Sequence, residues 1–266
     1  MRKWLFGGLA GLLMGCSQVP QILKPDDQFA GYSQVVLLNF DGGAYFKSDS
    51  SVVADIRPFE QEISSLDSSL VHYADDMKRE ITSITQLNFA RYNIKILSTE
   101  EMKPSGISGE FSQVYFGGSD TAGLPVWPNS LGAAETLDAG NSLHDDNAIV
   151  LVPSFKEWFG RFNPSWATYS QLMALVASHE LGHIFGLKHD LAVFSIMALP
   201  QYHDPDVVQS KRWMFTFKRG TVIDSSTAAF YPFDAVYMHT QDAPAYLSRV
   251  LGPANTDSTR TGGNPQ

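Results

Sequence analysis

The stretch "ASHELGHIFGLKHD", residues 177–190, decides the fold because it gathers three of the seven histidines of a 266-residue chain. On an α-helix, His179 and His183 lie one turn apart on the same face, so both side chains can reach one ion. Neutral imidazole is a preferred ligand of Zn2+, and two such groups form half of a tetrahedral site. Glu180 lies beside the first histidine, where it can take a proton from ion-bound water rather than bind the ion.

The third histidine predicts a reversal of the chain. A helix continued for ten residues beyond His179 would carry His189 about 15 Å away, too far for any imidazole to reach the same ion. Gly186 offers the solution, because glycine adopts the left-handed conformation that ends helices. We therefore predict that His179, His183 and His189 bind Zn2+ and that the helix exits at Gly186. The alternative is a histidine-rich amphipathic helix that binds no metal.

The run from His179 to His189 resembles the extended zinc-binding motif HExxHxxGxxH of the metzincin metallopeptidases. That family also has a methionine in a tight turn beneath the metal, and "FSIMALP" (194–200) offers Met197 for this role. Plain core packing is the alternative for Met197. Asp190 follows the third histidine, as in some metzincins. It would orient a ligand or brace the turn through a hydrogen bond, unless it is an ordinary polar residue at a helix exit.

The sequence departs from the family in one respect. Some metzincins have a tyrosine two residues beyond the methionine as an extra ligand, and here that place holds Leu199. Tyr202 is not assumed to replace it.

The resemblance implies an α+β fold of the metzincin type. It has a twisted, mostly parallel sheet with two long helices in an upper lobe, a smaller irregular lower lobe, and an active-site cleft between them. We assign residues 33–252 to this domain, with the upper lobe at 33–186 and the lower lobe at 187–252. The implied activity is a zinc-dependent metalloendopeptidase with Glu180 as general base. A protein or peptide substrate would lie along an edge strand, at 111–118 or in the loop after it.

Hydrophobic periodicity supplies the predicted elements. Apolar residues at three- and four-residue steps predict one long helix from Pro58 to about Leu87, and a run without proline predicts another over 168–187. A further helix is expected near 242–251. Short apolar or alternating runs predict four strands, and residues 117–147 are expected to form a long irregular loop. The strands are predicted at 33–40, 92–97, 111–118 and 147–155.

Composition limits the partners. The chain is 44% hydrophobic and 18% charged, which is sufficient for a sizeable core. Its formal net charge of −9 argues against nucleic acid or an anionic lipid surface as partner, because both bind basic patches. The chain has one cysteine, so no internal disulfide is possible. We expect a monomer that acts on a protein or peptide.

The N-terminus predicts targeting to a bacterial cell envelope. Two basic residues precede the apolar run "WLFGGLAGLLMG", and Cys16 follows it at once. This resembles the bacterial lipoprotein signal and implies removal of residues 1–15 and a lipid anchor on Cys16. Ser17 favours the outer membrane, facing the periplasm or the surface. The alternatives are an ordinary secretory signal and an uncleaved anchor helix. Residues 16–32 would form a tether and 253–266 a disordered tail.

Two other functions fit the same residues. A lipid-anchored binding or scaffold protein would contain a structural zinc or an inactive metzincin fold. A closed structural site needs a fourth protein ligand, which Asp190 or His203 would have to supply, whereas three ligands leave a position open for catalysis. A hydrolase that acts on the peptide cross-links of the cell wall is also compatible with the sequence.

Overall fold

The computed structural model describes residues 29–46, 52–118, 130–198, 215–223 and 237–254. The predicted signal peptide, Cys16, most of the tether and most of the C-terminal tail lie outside these residues, as do Leu199, Tyr202 and His203. The elements in chain order are β1 (Gln34–Asn39), β2 (Gly43–Phe46), β3 (Val52–Ile56), α1 (Phe59–Leu66), α2 (Ala74–Phe89), β4 (Ile94–Ser98), β5 (Ser112–Phe116), β6 (Gly132–Ala134), β7 (Asn147–Val150), α3 (Ser154–Phe159), α4 (Trp166–Ile184), β8 (Arg219–Ile223), β9 (Tyr237–Asp242) and α5 (Ala243–Leu251).

A five-stranded sheet forms the centre of the fold, in the order β4-β1-β5-β7-β6. The first four strands are parallel, and β6 pairs with β7 in the antiparallel direction. Strand β1 is buried along its whole length, as expected for an apolar, β-branched strand inside a parallel sheet. The predicted α+β class with a mostly parallel sheet is thereby confirmed. The division into two lobes with a cleft stays a prediction.

Helices α2 and α4 pack against each other and cover one face of this sheet. Helix α4 is buried at nearly every position, which fits its run of Leu, Ala and Met residues without a continuous polar face. Its first turn is capped by the Ser165 side chain, which accepts a hydrogen bond from the Thr168 amide at 3.2 Å. The second half of α4 approaches β6 and β7 at the sheet edge.

The single helix predicted from Pro58 to Leu87 is wrong. The structure has α1, a 3-10 helix over Ser68–Tyr73, and then α2. Asp67 ends α1 in an extended conformation, and its side chain accepts a hydrogen bond from the Ser69 amide at 2.8 Å. A short acidic side chain that bonds the backbone two residues on competes with helix continuation, and the apolar periodicity does not report it.

Several other elements differ from the prediction. The strand expected at 147–155 ends at Val150, and α3 begins at Ser154. The expected loop 117–147 contains the edge strand β6. Strand β5 lies between β1 and β7, so the first substrate location, 111–118, is not at a sheet edge, whereas the loop after it supplies one. Two antiparallel pairs, β2–β3 and β8–β9, were not predicted.

Within the described residues, no helix has the length and apolar character needed to cross a membrane.

Candidate metal centre

Helix α4 ends immediately before the predicted exit. Its last residue is Ile184, Phe185 is the cap, and Gly186 has φ +90°. The Gly186 amide donates to the His183 carbonyl and the Leu187 amide donates to the Gly182 carbonyl, both at 2.8 Å. This pair of bonds is the Schellman arrangement, in which a left-handed glycine reverses the chain at the end of a helix.

The reversal brings the three predicted ligands together. The Nε2 atoms of His179, His183 and His189 lie 3.1 Å from one another in all three pairs. Ligand atoms about 2.05 Å from one tetrahedral ion lie about 3.3 Å apart, so the observed triangle fits a single zinc-sized ion within a few tenths of an ångström. Among the described residues, the three histidines are the only group of at least three His, Cys, Asp or Glu side chains placed to hold a metal.

Hydrogen bonds fix the tautomers of the first two ligands. The Nδ1 atoms of His179 and His183 each lie 2.7 Å from a backbone carbonyl, that of Ile196 and that of Leu187 respectively. A carbonyl oxygen only accepts, so Nδ1 carries the hydrogen and Nε2 presents a lone pair. Burial lowers the pKa of His183 to about 4, although the Leu187 carbonyl raises it. The ring is therefore neutral at pH 7, as a metal ligand must be.

His189 differs from the other two ligands. Burial, followed by the charge of His183, lowers its pKa to about 3, so this ring is neutral as well. Among the described residues, no hydrogen bond reaches its Nδ1 atom. Three neutral imidazole rings therefore bring their Nε2 atoms to one point, and a cation held there would be bound by lone pairs whose tautomer is already fixed at His179 and His183.

Glu180 lies beside this group but does not belong to it. The residue is only 6% exposed, and its carboxyl group accepts a hydrogen bond from the Ala134 amide of β6. Burial raises the pKa of Glu180 to about 8, and the amide hydrogen bond acts in the opposite direction. The approach to β6 is close: a Cβ on Gly132 would lie 2.7 Å from Glu180 Oε1. The structure thus places the buried carboxyl group of the residue that follows His179 against an edge strand.

Met197 lies in a turn that contacts the ligand helix. It is fully buried, and its sulfur packs where Gly182 leaves no Cβ on α4. The adjacent Ile196 supplies the carbonyl that holds His179. Met197 therefore packs against the helix that carries His179 and His183, while the carbonyl of its neighbour Ile196 orients the His179 ring.

Asp190 is buried and makes its hydrogen bonds inside the same turn. Its Oδ1 accepts from the Ala192 amide and its Oδ2 from the Ser195 hydroxyl, both at 2.9 Å. The Ser195 hydroxyl in turn accepts from the Met197 amide at 3.2 Å. Of the two roles predicted for Asp190, these contacts match bracing of the turn.

Four residues near the site were not found by sequence reasoning. Gly132 and Ala134 contact Glu180, and Gln241 and Tyr246 contact the turn after α4. The first two act by backbone contact or close approach, and the last two bond from their side chains to distant backbone groups; neither kind of contact requires a characteristic spacing in the sequence. The only available signal was the predicted helix near 242–251, which includes Tyr246.

The fold and the histidine geometry define an α+β protein with a candidate three-histidine metal centre. The chain matches no protein-family model, no curated protein and no solved structure. The assignment of the candidate ligands and of the residues around them therefore rests on this chain's own geometry.

Proposed function

We propose that this protein is a zinc-dependent metalloendopeptidase of the metzincin type. The observation that carries the proposal is the convergence of three Nε2 atoms at 3.1 Å, with the Glu180 carboxyl beside them. Three histidines are a typical protein ligand set of a catalytic zinc, which retains one coordination position for water or substrate. The resemblance of residues 179–197 to the metzincin motif supports the same function.

The donor set favours Zn2+ over other divalent cations. Three neutral imidazoles suit zinc, whereas calcium and magnesium prefer oxygen ligands. When bound, zinc would supply Lewis-acid polarisation of the substrate carbonyl and would lower the pKa of water.

Glu180 is the proposed general base. Beside a bound divalent cation the raised pKa of its carboxyl group would fall, so that the group is ionised and can accept a proton. It accepts a proton from the attacking water and delivers it to the departing amine, so that one carboxyl group serves both proton transfers. Its burial and its contact with β6 hold it close to the position at which a peptide would bind.

Strand β6 is the proposed site of substrate pairing. The Leu131 carbonyl and the Glu135 amide bond to β7, so the alternation of an antiparallel pair directs the polar groups of Gly132 and Ala134 away from the sheet. An extended peptide can add to such an edge by main-chain hydrogen bonds. The Ala134 amide already donates to Glu180. Among the described residues, the groups of this edge that remain for pairing are the amide and carbonyl of Gly132 and the carbonyl of Ala134.

The test compares Glu180→Gln with Glu157→Gln, which changes an exposed glutamate of α3, in the full chain purified in detergent. We expect the wild type and Glu157→Gln to degrade an unfolded, fluorescently labelled protein, to stop with a chelator and to recover with zinc. Glu180→Gln should retain one zinc per chain and lose turnover about 100-fold or more.

Three results would contradict the proposal. Retained proteolysis in Glu180→Gln would remove the mechanism. Zinc binding by the wild type without any turnover of protein would favour the binding protein with a structural zinc. Release of peptides from cell-wall preparations instead would assign the hydrolase to cross-links.

The lipid anchor on Cys16 is proposed from the sequence pattern alone. Cys16→Ser should move the protein from the membrane fraction to the soluble fraction and abolish incorporation of labelled fatty acid. An unchanged membrane fraction for this variant would favour an uncleaved anchor helix.

A further inference from the structure

The turn between the second and third histidines is held by residues more than fifty positions further along the chain. Gln241, at the end of β9, makes two hydrogen bonds to the backbone of Lys188. Its Oε1 accepts from the Lys188 amide at 2.9 Å, and its Nε2 donates to the Lys188 carbonyl at 3.0 Å. One side chain thus occupies both polar backbone groups of the residue that precedes His189.

Gln241 is itself anchored on both sides. It lies opposite Gly220 in the β8–β9 pair, and the next residue, Asp242, caps α5 by accepting a hydrogen bond from the Ala245 amide at 3.0 Å. A side chain with a fixed backbone loses less conformational entropy when it forms two bonds to another segment. The pair of bonds therefore acts as a rigid connection between β9 and the turn.

Tyr246 contacts the same turn from α5. Its hydroxyl accepts a hydrogen bond from the Gly140 amide at 2.7 Å and packs against Gly186, which has no room there for a Cβ. The Asp138 amide in the same loop donates to the His183 carbonyl at 3.3 Å. Tyr246 thereby holds residues 138–140 against the end of α4.

The third ligand depends on these contacts more than the other two. The rings of His179 and His183 are oriented by hydrogen bonds from Nδ1 to carbonyl groups, whereas the described residues provide no such bond for His189. The position of its imidazole is therefore set by the backbone on either side. Lys188 precedes it, and Asp190 follows it with an amide that donates to the Met197 carbonyl at 3.1 Å.

We infer that Gln241 is a positioning residue for the metal centre: it fixes the Lys188 backbone and so directs His189 at the point where the other two histidines converge. Tyr246 supports the same turn. The inference rests on the proposed zinc site, but it is independent of whether the protein cleaves peptides.

The test measures zinc affinity of the full chain by competition with a chromophoric chelator. Gln241→Leu keeps the size of the side chain and removes both hydrogen bonds. Gln241→Glu keeps the acceptor for the Lys188 amide and loses the donor to the Lys188 carbonyl. Gln61→Leu, an exposed glutamine of α1, is the matched control.

We expect Gln241→Leu to weaken zinc binding about 10- to 100-fold, the range for residues that orient metal ligands. Gln241→Glu should be intermediate and Gln61→Leu unchanged. The visible spectrum of the cobalt-loaded protein should also change in Gln241→Leu, because the geometry of His189 alters. A purely structural role would lower the free energy of unfolding of the metal-free protein and leave the Kd and the cobalt spectrum unchanged.

The outcomes separate this inference from the proposed function. A wild type that binds no zinc would remove the metal centre itself. A wild type that binds zinc, with the same Kd in Gln241→Leu, would overturn the role of Gln241 alone. If Gln241→Leu does not fold, Gln241→Glu decides, and an unchanged Kd in that variant would likewise overturn the inference.

Discussion

Gly186 combines a left-handed backbone with a position that has no room for a side chain. Its φ is +90°, and a Cβ would lie 2.7 Å from Ala139 Cα. Gly140 has a similar φ of +98° but no heavy atom within 4 Å of a Cβ. Alanine substitutions at the two glycines therefore distinguish the free-energy cost of a left-handed backbone from the added cost of steric clashes.

We predict that Gly186→Ala destabilises the protein more than Gly140→Ala. The latter should cost about 1–2 kcal/mol for the left-handed backbone. Gly186→Ala adds displacement of the loop at 138–140 and of the Tyr246 hydroxyl. Urea unfolding of both variants measures their free energies of unfolding. An equal decrease in the two variants would contradict the prediction, because it would show that the residues around Gly186 move aside at no free-energy cost.

Asp146 is a buried carboxyl group outside the metal centre. Its oxygens accept hydrogen bonds from the Ser112 hydroxyl at 2.9 Å and the Thr136 hydroxyl at 3.1 Å. Burial raises the pKa of Asp146 to about 7, although both hydrogen bonds lower it. The native state therefore binds this proton more tightly than the unfolded chain does.

The sign of the resulting pH dependence follows from linkage. Between about pH 4 and pH 7 the native state holds more protons than the unfolded state, so the contribution of Asp146 to stability decreases as pH rises. Asp146→Asn should flatten the dependence of the free energy of unfolding on pH in this window and be the more stable protein at pH 8. Asp145→Asn changes the exposed neighbour and should keep the wild-type slope. The same slope in both variants would contradict the raised pKa.

At the scale of elements, the sequence predicted those strands and helices whose signal lies within their own residues. Apolar runs located β1, β4 and β5, and the motif with its glycine located α4 and the reversal after it. Strand β6 has three small residues, Gly132–Ala134, and therefore no β-branched signal. Strand β6 forms because it pairs with the edge of β7 and is covered by α4. Both contacts are tertiary, so the local sequence does not predict them. The break at Asp67 was missed because one capping side chain interrupts a periodicity that otherwise continues.

The absence of a side chain at Gly132 lets β6 approach α4. A Cβ there would lie 2.7 Å from Glu180 Oε1 and 2.8 Å from Val176 Cγ1. We predict that Gly132→Ala lowers the free energy of unfolding by about 1–3 kcal/mol, as for other overpacked positions. Gly160→Ala, whose nearest neighbour would be Lys156 Cγ at 3.4 Å, should be neutral or stabilising. An unchanged free energy of unfolding in Gly132→Ala would contradict the prediction, because it would mean that the edge strand can move away from Glu180 without cost.

At the scale of the whole molecule, the candidate centre is assembled from three distant parts of the chain. The segment at 179–197 supplies the three histidines, β6 contacts Glu180, and the segment at 241–246 holds the turn before His189. A sequence motif predicts only the histidines, because their spacing is local. The contacts from β6 and from 241–246 join residues that are far apart in the sequence. The convergence of the three histidines could therefore be predicted from the sequence, and the residues that hold the turn around them required coordinates.

Such an assembly couples metal binding to global stability. An ion that binds only the native state, at a free concentration of 100 times its Kd, raises the free energy of unfolding by about 2.7 kcal/mol. For a chain of this size, that predicts a rise in Tm of about 5–10 °C. Zinc should raise the Tm of the wild type, and a chelator should reverse the rise. The His179→Ala/His183→Ala/His189→Ala triple variant should show no rise, whereas His72→Ala, which changes an exposed histidine, should respond like the wild type. An equal zinc-dependent rise in the triple variant would place the ion elsewhere, and no rise in the wild type would mean that the three imidazoles converge without binding zinc.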